Sequence, residues 1–135
     1  MRLHQIAAAL FVTLLLPPAL ALGVGAPQGS AWIGQPLDLR VPLTLGSEDV
    51  SGSLCPVVTL RQGDAGMDVQ AVLEPGVAAD RPHLRVRSAR AVQEPVLHLS
   101  VKVGCKGASA REFVLLADPP PALAVVPTPR VEAAP

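Results

Sequence analysis

The sequence predicts an all-β domain, an antiparallel β-sandwich of immunoglobulin-like type with six or seven strands and one disulfide. Apolar and polar residues alternate with a period of two in most segments, which is typical of strands with one buried face. Turn-forming Gly, Pro, Asp and Ser residues separate these segments at intervals of roughly 10–15 residues. No segment shows the 3.6-residue apolar stripe of an amphipathic helix.

The first long strand is predicted at 36–45, where alternate Leu and Val residues share one face and Pro42 lies on the other. Because proline lacks the N–H that a central ladder requires, Pro42 indicates an edge position or a bulge. A further short strand is expected at 30–33. The remaining predicted strands are 54–61, 68–74, 83–90, 94–105 and 111–118.

The alternation also assigns faces to the later strands. In 68–74, Leu73 is expected to point inward together with Val69 and Ala71. The strand 111–118 is apolar on both faces, since Val114 and Leu116 lie opposite its inward residues. This pattern predicts a central strand, or one that is covered on both sides.

The first 21 residues have the pattern of a secretory signal. "MRLHQ" carries one positive charge, residues 6–16 form an apolar run, and alanines at 19 and 21 precede the expected cleavage site. The run is shorter than the roughly 20 residues that span a bilayer. We therefore expect export to the bacterial periplasm and no integral membrane segment in the mature form. A retained signal anchor is the alternative.

Two cysteines, Cys55 and Cys105, follow the signal. In an oxidising compartment the simplest interpretation is a single disulfide. A metal site or free thiols are the alternatives, but His83 and His98 are the only histidines after the signal, and neither has a ligand-like spacing from a cysteine. We predict no metal and no cofactor.

Composition argues against several classes of function. The 11 basic residues balance the 11 acidic ones, so the net charge of the chain gives it no attraction to nucleic acid. Trp32 and Phe113 are the only aromatic residues after the signal, too few for base-stacking or sugar-binding platforms. No G-x-S-x-G elbow or buried pair of carboxylates is indicated, so we predict that the protein is not an enzyme.

The candidate interaction residues fall into two groups. We predict that Trp32 is a core plug, with a ligand contact as the alternative. Trp32, Gln35 and Pro36 precede the expected edge at Pro42 in the sequence. Arg85 and Arg87 share one strand face and could grip an anionic polymer. The simpler interpretation of that face is a solvated surface on which Asp68 and Glu74 pair with the arginines across a hairpin.

Residues 119–135 contain six prolines and are predicted to be a disordered or polyproline-type tail. The domain is therefore expected to cover 22–118.

Four stretches together resemble the N-terminal periplasmic domain of FimV-type proteins, polar scaffold proteins associated with type IV pili. They are "ALALGVG" at 19–25, "GQPLDLRVPL" at 34–43, "LRVRSARAVQEPVLHLSVKV" at 84–103 and "AREFVLLADPP" at 110–120. The resemblance implies that Asp118, Pro119 and Pro120 end the domain and begin a spacer.

Long members of this family continue to a peptidoglycan-binding LysM module, a membrane span and a cytoplasmic repeat region. The 135 residues carry no counterpart of these, so the resemblance implies only the domain, and we expect a short form. Peptidoglycan is a further candidate partner, although the LysM module that binds it in long family members has no counterpart in these residues.

The resulting hypothesis is a periplasmic protein-interaction module, accessory to type IV pilus assembly or an envelope scaffold, whose partners are envelope or pilus-assembly proteins. The alternative is a small periplasmic enzyme inhibitor of the lysozyme-inhibitor kind. Such an inhibitor would plug a cleft with loop 46–53 or loop 75–82.

Overall fold

The computed structural model describes residues 22–46, 49, 53–106 and 109–120. The predicted signal segment 1–21 and the tail from 121 onward lie outside these residues. Eight strands are present in the described part, and they are β1 (Gly23–Val24), β2 (Pro36–Thr44), β3 (Val57–Gln62), β4 (Ala65–Met67), β5 (Val69–Glu74), β6 (His83–Ala91), β7 (Val96–Val103) and β8 (Ser109–Leu116). Within the same ranges, no helix is long and apolar enough to cross a bilayer.

The strands form two four-stranded sheets, which confirms the antiparallel β-sandwich. The first sheet has the order β1-β2-β6-β5, and the second has the order β4-β3-β7-β8. Every ladder between neighbouring strands is antiparallel. The short strands β1 and β4 were not predicted. β4 follows β3 through a tight turn at Gly63, whose φ of 55° is the left-handed region that favours glycine.

Leu and Val side chains from the inner faces of both sheets make up the core, as the alternation predicts. The fully buried members are Leu37, Val41, Leu43, Leu60, Leu84, Val86, Val92, Leu97, Leu99, Val101 and Val103. Each such side chain contributes about 1.5–3 kcal/mol by leaving water. Because β-branched and leucine side chains fill this space, the domain needs almost no aromatic residue in its core.

β2 is not an edge strand, so the prediction drawn from Pro42 is wrong. β1 pairs with β2 at Leu43 and Thr44, and the N–H of Gly25 donates to the Pro42 carbonyl at 2.8 Å. The ring nitrogen of Pro42 faces this same N-terminal segment, because the N–H and C=O directions of one strand residue coincide. Pro42 therefore accepts a main-chain hydrogen bond from this segment and donates none.

The predicted strand at 30–33 is instead a crossing segment that joins the two sheets. Trp32 forms an isolated parallel bridge with Asp118, and Ile33 forms one with Val92. Trp32 is half-buried, whereas Ala31 is buried and Ile33 packs against the core. The predicted role of Trp32 as a core plug is therefore taken by its two smaller neighbours, which fit the narrow end of the sandwich.

Two predictions about faces also change. β8 is an edge strand of the second sheet rather than a central one, and Val114 and Leu116 on its outer face are 64% and 72% exposed. Leu73 is 43% exposed, although Val69 and Ala71 on the same strand do pack against the core. β5 is also an edge strand, and Leu73 lies near its end, where the facing layer gives less cover.

The predicted disulfide between Cys55 and Cys105 is present, with their Cα atoms 4.9 Å apart. Cys55 precedes β3 and Cys105 follows β7, and the antiparallel pairing of these strands brings the two residues together. The N–H of Gly104 also donates to the Leu54 carbonyl at 2.6 Å, which continues the ladder to the bridge.

A bulge lies where β2 meets β6. Pro36 pairs with Ala91, but Asp38 pairs with Arg87, so β6 has more residues than β2 across this interval. The N–H of Leu37, which would lose its ladder partner here, donates to the hydroxyl of Ser88 at 2.8 Å. The Ser88 hydroxyl in turn donates to the Arg90 carbonyl at 2.7 Å. A side chain thus replaces the missing main-chain acceptor.

Candidate interaction surfaces

The outer face of the first sheet carries a network of ion pairs centred on Arg85. Arg85 donates from Nε to Asp38 Oδ1 at 3.0 Å and from Nη2 to Asp38 Oδ2 at 2.8 Å. Its Nη1 lies 3.6 Å from Glu74 Oε1, and Arg87 Nε lies 3.4 Å from Asp38 Oδ2. His83 Nε2 and Glu74 Oε2, 2.8 Å apart, extend the network along β6. Two carboxylates therefore hold both candidate arginines.

The register of β2 against β6 explains this arrangement. Arg40 stands directly opposite Arg85, an unfavourable pairing of like charges, while Asp38 is diagonal to Arg85 and opposite Arg87. The bidentate pair with Asp38 offsets that repulsion. The predicted pairing of Glu74 with the arginines is present. The Asp68 carboxylate makes no ion pair among the described residues. The main-chain carbonyl of Asp68 accepts the N–H of Ala89.

The network shifts the protonation of its members. Hydrogen bonding from Arg85 lowers the pKa of Asp38, and hydrogen bonding from His83 lowers the pKa of Glu74. The bond to Asp38 raises the pKa of Arg85 above its usual range. Asp38, Glu74 and Arg85 therefore stay charged at neutral pH, and Arg85 and Arg87 are held in ion pairs. Arginines paired in this way attract an anionic polymer weakly.

An open groove lies beside this network, at the end of the first sheet. It has a volume of about 570 Å³, and Arg40, Pro42, Arg81 and His83 are among the residues that line it. Arg40 and Arg81 make no ion pair within the described residues. Pro42, predicted as part of an interaction edge, thus lines this groove on the outer face.

The outer face of the second sheet has a different character. A groove of about 540 Å³ crosses it, with Thr59, Ser100 and Val114 among its lining residues. In register, Val114 lies beside His98 of β7, and Leu116 lies beside Val96. The face is therefore polar towards the centre of the sheet and apolar towards the end of β8.

The structure separates the predicted interaction residues into different places. Trp32, Gln35 and Pro36 lie at one end of the sandwich, where the Gln35 carbonyl accepts the N–H of Val92. Arg85 and Arg87 lie on the outer face of the first sheet.

Sequence reasoning missed two features of these surfaces. Asp38 was not predicted to pair with Arg85, because β2 and β6 are far apart in the chain and only the sheet order reveals them as neighbours. The exposed pair Val114 and Leu116 was recognised as apolar but was expected to be covered.

No arrangement of catalytic type is found among the residues that the structure describes. The same residues contain no group of three His, Cys, Asp or Glu side chains that could hold a metal ion. The buried hydroxyl of Ser88 is occupied by main-chain hydrogen bonds.

Comparison with known proteins agrees with the architecture. The family model of the FimV N-terminal domain, an Ig-like domain, matches residues 22–120, which is well over half of the chain. The search of curated proteins found no significant match. The matched range begins directly after the predicted signal and includes both sheets and the bridge between Trp32 and Asp118. The chain belongs to the FimV N-terminal domain family.

Proposed function

We propose that this protein is a non-enzymatic protein-interaction module of the periplasm, accessory to type IV pilus assembly or the associated envelope scaffold. Its membership of the FimV N-terminal domain family is the observation that carries the proposal. The family suggests a pilus-related interaction domain, and the predicted signal at 1–21 supports export. The disulfide is consistent with an oxidising compartment.

The surface supports recognition of a macromolecule. The grooves are open and lie on the outer faces of the sheets, whereas small-molecule sites are concave and mostly apolar. Arg85 and Arg87 are held in ion pairs by Asp38 and Glu74. A flat face or a strand edge is then the natural contact for a partner.

The test begins with the exported full chain as bait in an envelope extract. An unrelated disulfide-bonded β-sandwich of similar size is the control bait. Each enriched protein is then purified and its direct binding is measured. Direct binding of a pilus-assembly or scaffold protein supports the proposal. Binding and inhibition of a single secreted hydrolase would favour the inhibitor alternative, and absence of any direct binder from pilus or scaffold machinery would overturn the proposal.

The arginine face is tested with the same partner. Arg85→Gln with Arg87→Gln should leave binding nearly unchanged, because ion pairs with Asp38 and Glu74 already occupy these arginines. Binding should also weaken little between low and physiological salt, since screening acts mainly on exposed charge contacts. A steep loss in either experiment, with the fold intact by circular dichroism, would place the site on this face.

A further inference from the structure

The main chain of β8 offers an unused hydrogen-bonding edge. The N–H of Ala117 donates to the Pro95 carbonyl at 2.8 Å, so odd-numbered residues of the strand bond towards β7. Even-numbered residues, from Ala110 to Leu116, therefore direct their N–H and C=O groups away from the sheet. Among the described residues, β8 pairs with no strand other than β7. This open row is the β8 edge, residues 110–116.

The side chains of the same even-numbered residues lie on the outer face of the sheet. Glu112, Val114 and Leu116 follow one another there, and Val114 and Leu116 are 64% and 72% exposed. Glu112 makes no ion pair within the described part of the chain. A strand that bonds to this edge would place every second side chain beside these three, on the outer face of the sheet.

The other edges are less suitable. β1 and β4 have only two and three residues. On β5, the N–H of Ala89 donates to the Asp68 carbonyl, so even-numbered residues bond towards β6. The groups that face outward on β5 therefore belong to Val69, Ala71 and Leu73. A strand added there would lie beside Glu74 on the outer face, whose carboxylate already pairs with His83 and Arg85.

We propose that the β8 edge docks an extended segment of another protein, which adds as a fifth, antiparallel strand of the second sheet. This inference rests on the proposed function and specifies its contact. The segment has a basic residue opposite Glu112 and apolar residues opposite Val114 and Leu116. Antiparallel addition matches every ladder in the domain, and it is the more stable pairing per residue.

Charge complementarity argues against a second copy of this chain on the edge. In antiparallel pairing of β8 with itself, hydrogen-bonded partners are both even-numbered residues. Glu112 would then face Ala110, Glu112, Val114 or Leu116 of the other copy, and none of these is basic. Every such register leaves the carboxylate without a partner or beside a like charge.

The β8 edge ends at Leu116. Beyond this residue the edge is closed, because the N–H of Asp118 donates to the Ala31 carbonyl and the N–H of Ile33 donates to the Asp118 carbonyl, each at 2.9 Å.

The test uses a synthetic peptide, acetyl-VTVTKTV-amide, and the exported full chain with its disulfide intact. In antiparallel register the valines at peptide positions 1 and 3 lie opposite Leu116 and Val114, and the lysine at position 5 lies opposite Glu112. Titration is followed by NMR, together with amide hydrogen exchange. We expect the amides of even-numbered residues from 110 to 116 to exchange fast in the free protein and to become protected with peptide. Odd-numbered amides of β8 should be protected throughout.

Two matched changes examine the charge and the main chain separately. Replacing the peptide lysine by glutamate should weaken binding about fivefold, and Glu112→Lys should restore it. N-methylation of the lysine amide, which faces β8, should weaken binding about tenfold. N-methylation of the threonine before it, whose amide faces away, is the control. Val114→Pro should abolish binding and Val114→Thr should retain most of it, because only proline removes the outward N–H.

Several results would overturn the inference. Peptide binding without protection of the even-numbered amides, or equal effects of the two N-methylations, would show that β8 is not the docking edge. Protection that disappears when residues 121–135 are removed would identify the tail as the occupant. A dimer that Val114→Pro dissociates would identify a second copy.

Failure of this inference is distinguishable from failure of the proposed function. A purified pilus or scaffold partner that binds wild type and Val114→Pro equally would leave the proposed function intact and exclude the β8 edge.

Discussion

Replacing Ser88 by alanine should destabilise the domain, because it removes the hydrogen-bond acceptor of a buried main-chain group. The Ser88 hydroxyl accepts the N–H of Leu37 at 2.8 Å and donates to the Arg90 carbonyl at 2.7 Å. Leu37 is 1% exposed, so its N–H cannot turn to water when the hydroxyl is lost. The bulge between β2 and β6 supplies no other acceptor at this point.

The size of the effect follows from the Leu37 N–H, which Ser88→Ala leaves without an acceptor. A buried N–H without a partner costs about 1–3 kcal/mol, and serine and alanine differ little in volume. In a domain of this length, each kcal/mol moves the midpoint of thermal unfolding by about 4–8 °C. We therefore expect the Tm of Ser88→Ala to fall by about 4–24 °C.

Urea and thermal unfolding at neutral pH, followed by circular dichroism with the disulfide intact, measure this change. Ser100→Ala, on the outer face of β7, is the matched control and should change stability by no more than about 0.5 kcal/mol. If Ser88→Ala is no less stable than Ser100→Ala, the hydroxyl does not satisfy the Leu37 N–H and the account of the bulge is wrong.

Three other properties are open to direct measurement. Cys55→Ser with Cys105→Ser should lower the free energy of unfolding by about 4 kcal/mol, since the bridge closes a separation of 50 residues, and urea unfolding that matches wild type would contradict this. The pKa of Asp38 is depressed in the folded state, so its contribution is present above the unfolded pKa of about 4 and is lost as the pH falls through the folded value. Asp38→Asn should therefore be less stable than wild type at pH 7, and thermal melts should show this deficit shrinking below about pH 4. Mature protein from the periplasm should begin at Leu22 by N-terminal sequencing, and chains in a membrane fraction that retain Met1 would refute the predicted cleavage.

The parts of the fold that depend on local pattern could be predicted from the sequence. Alternation in 36–45 assigned Leu37, Val41 and Leu43 to the core because a strand places successive side chains on opposite faces. The same rule located the other long strands. The cysteine count, together with the predicted export, was enough to indicate the disulfide.

The parts that depend on strand order could not be predicted. β1 and β4 are too short for a periodic signal and exist because a longer strand provides their ladder. Pro42 indicated an edge, because a residue without an N–H was expected to face the free side of a sheet. The N-terminal segment lies on that side instead and donates the Gly25 N–H to the Pro42 carbonyl. The pairing of Arg85 with Asp38 likewise depends on the placement of β6 next to β2, which no local pattern encodes.

Apolar residues on both faces of a strand can have two causes: a layer of the same domain covers both faces, or a partner covers the outer one. Apolar residues on both faces of β8 are expected when a strand is covered on both sides, and the core covers its inner face. Single exposed apolar residues are common on protein surfaces, so Val114 and Leu116 alone would indicate little. Here they coincide with an open ladder and with a carboxylate, Glu112, that has no ion-pair partner among the described residues. An added strand would cover the apolar pair and bond the ladder together, so it accounts for a pattern that the isolated sandwich leaves without a cause.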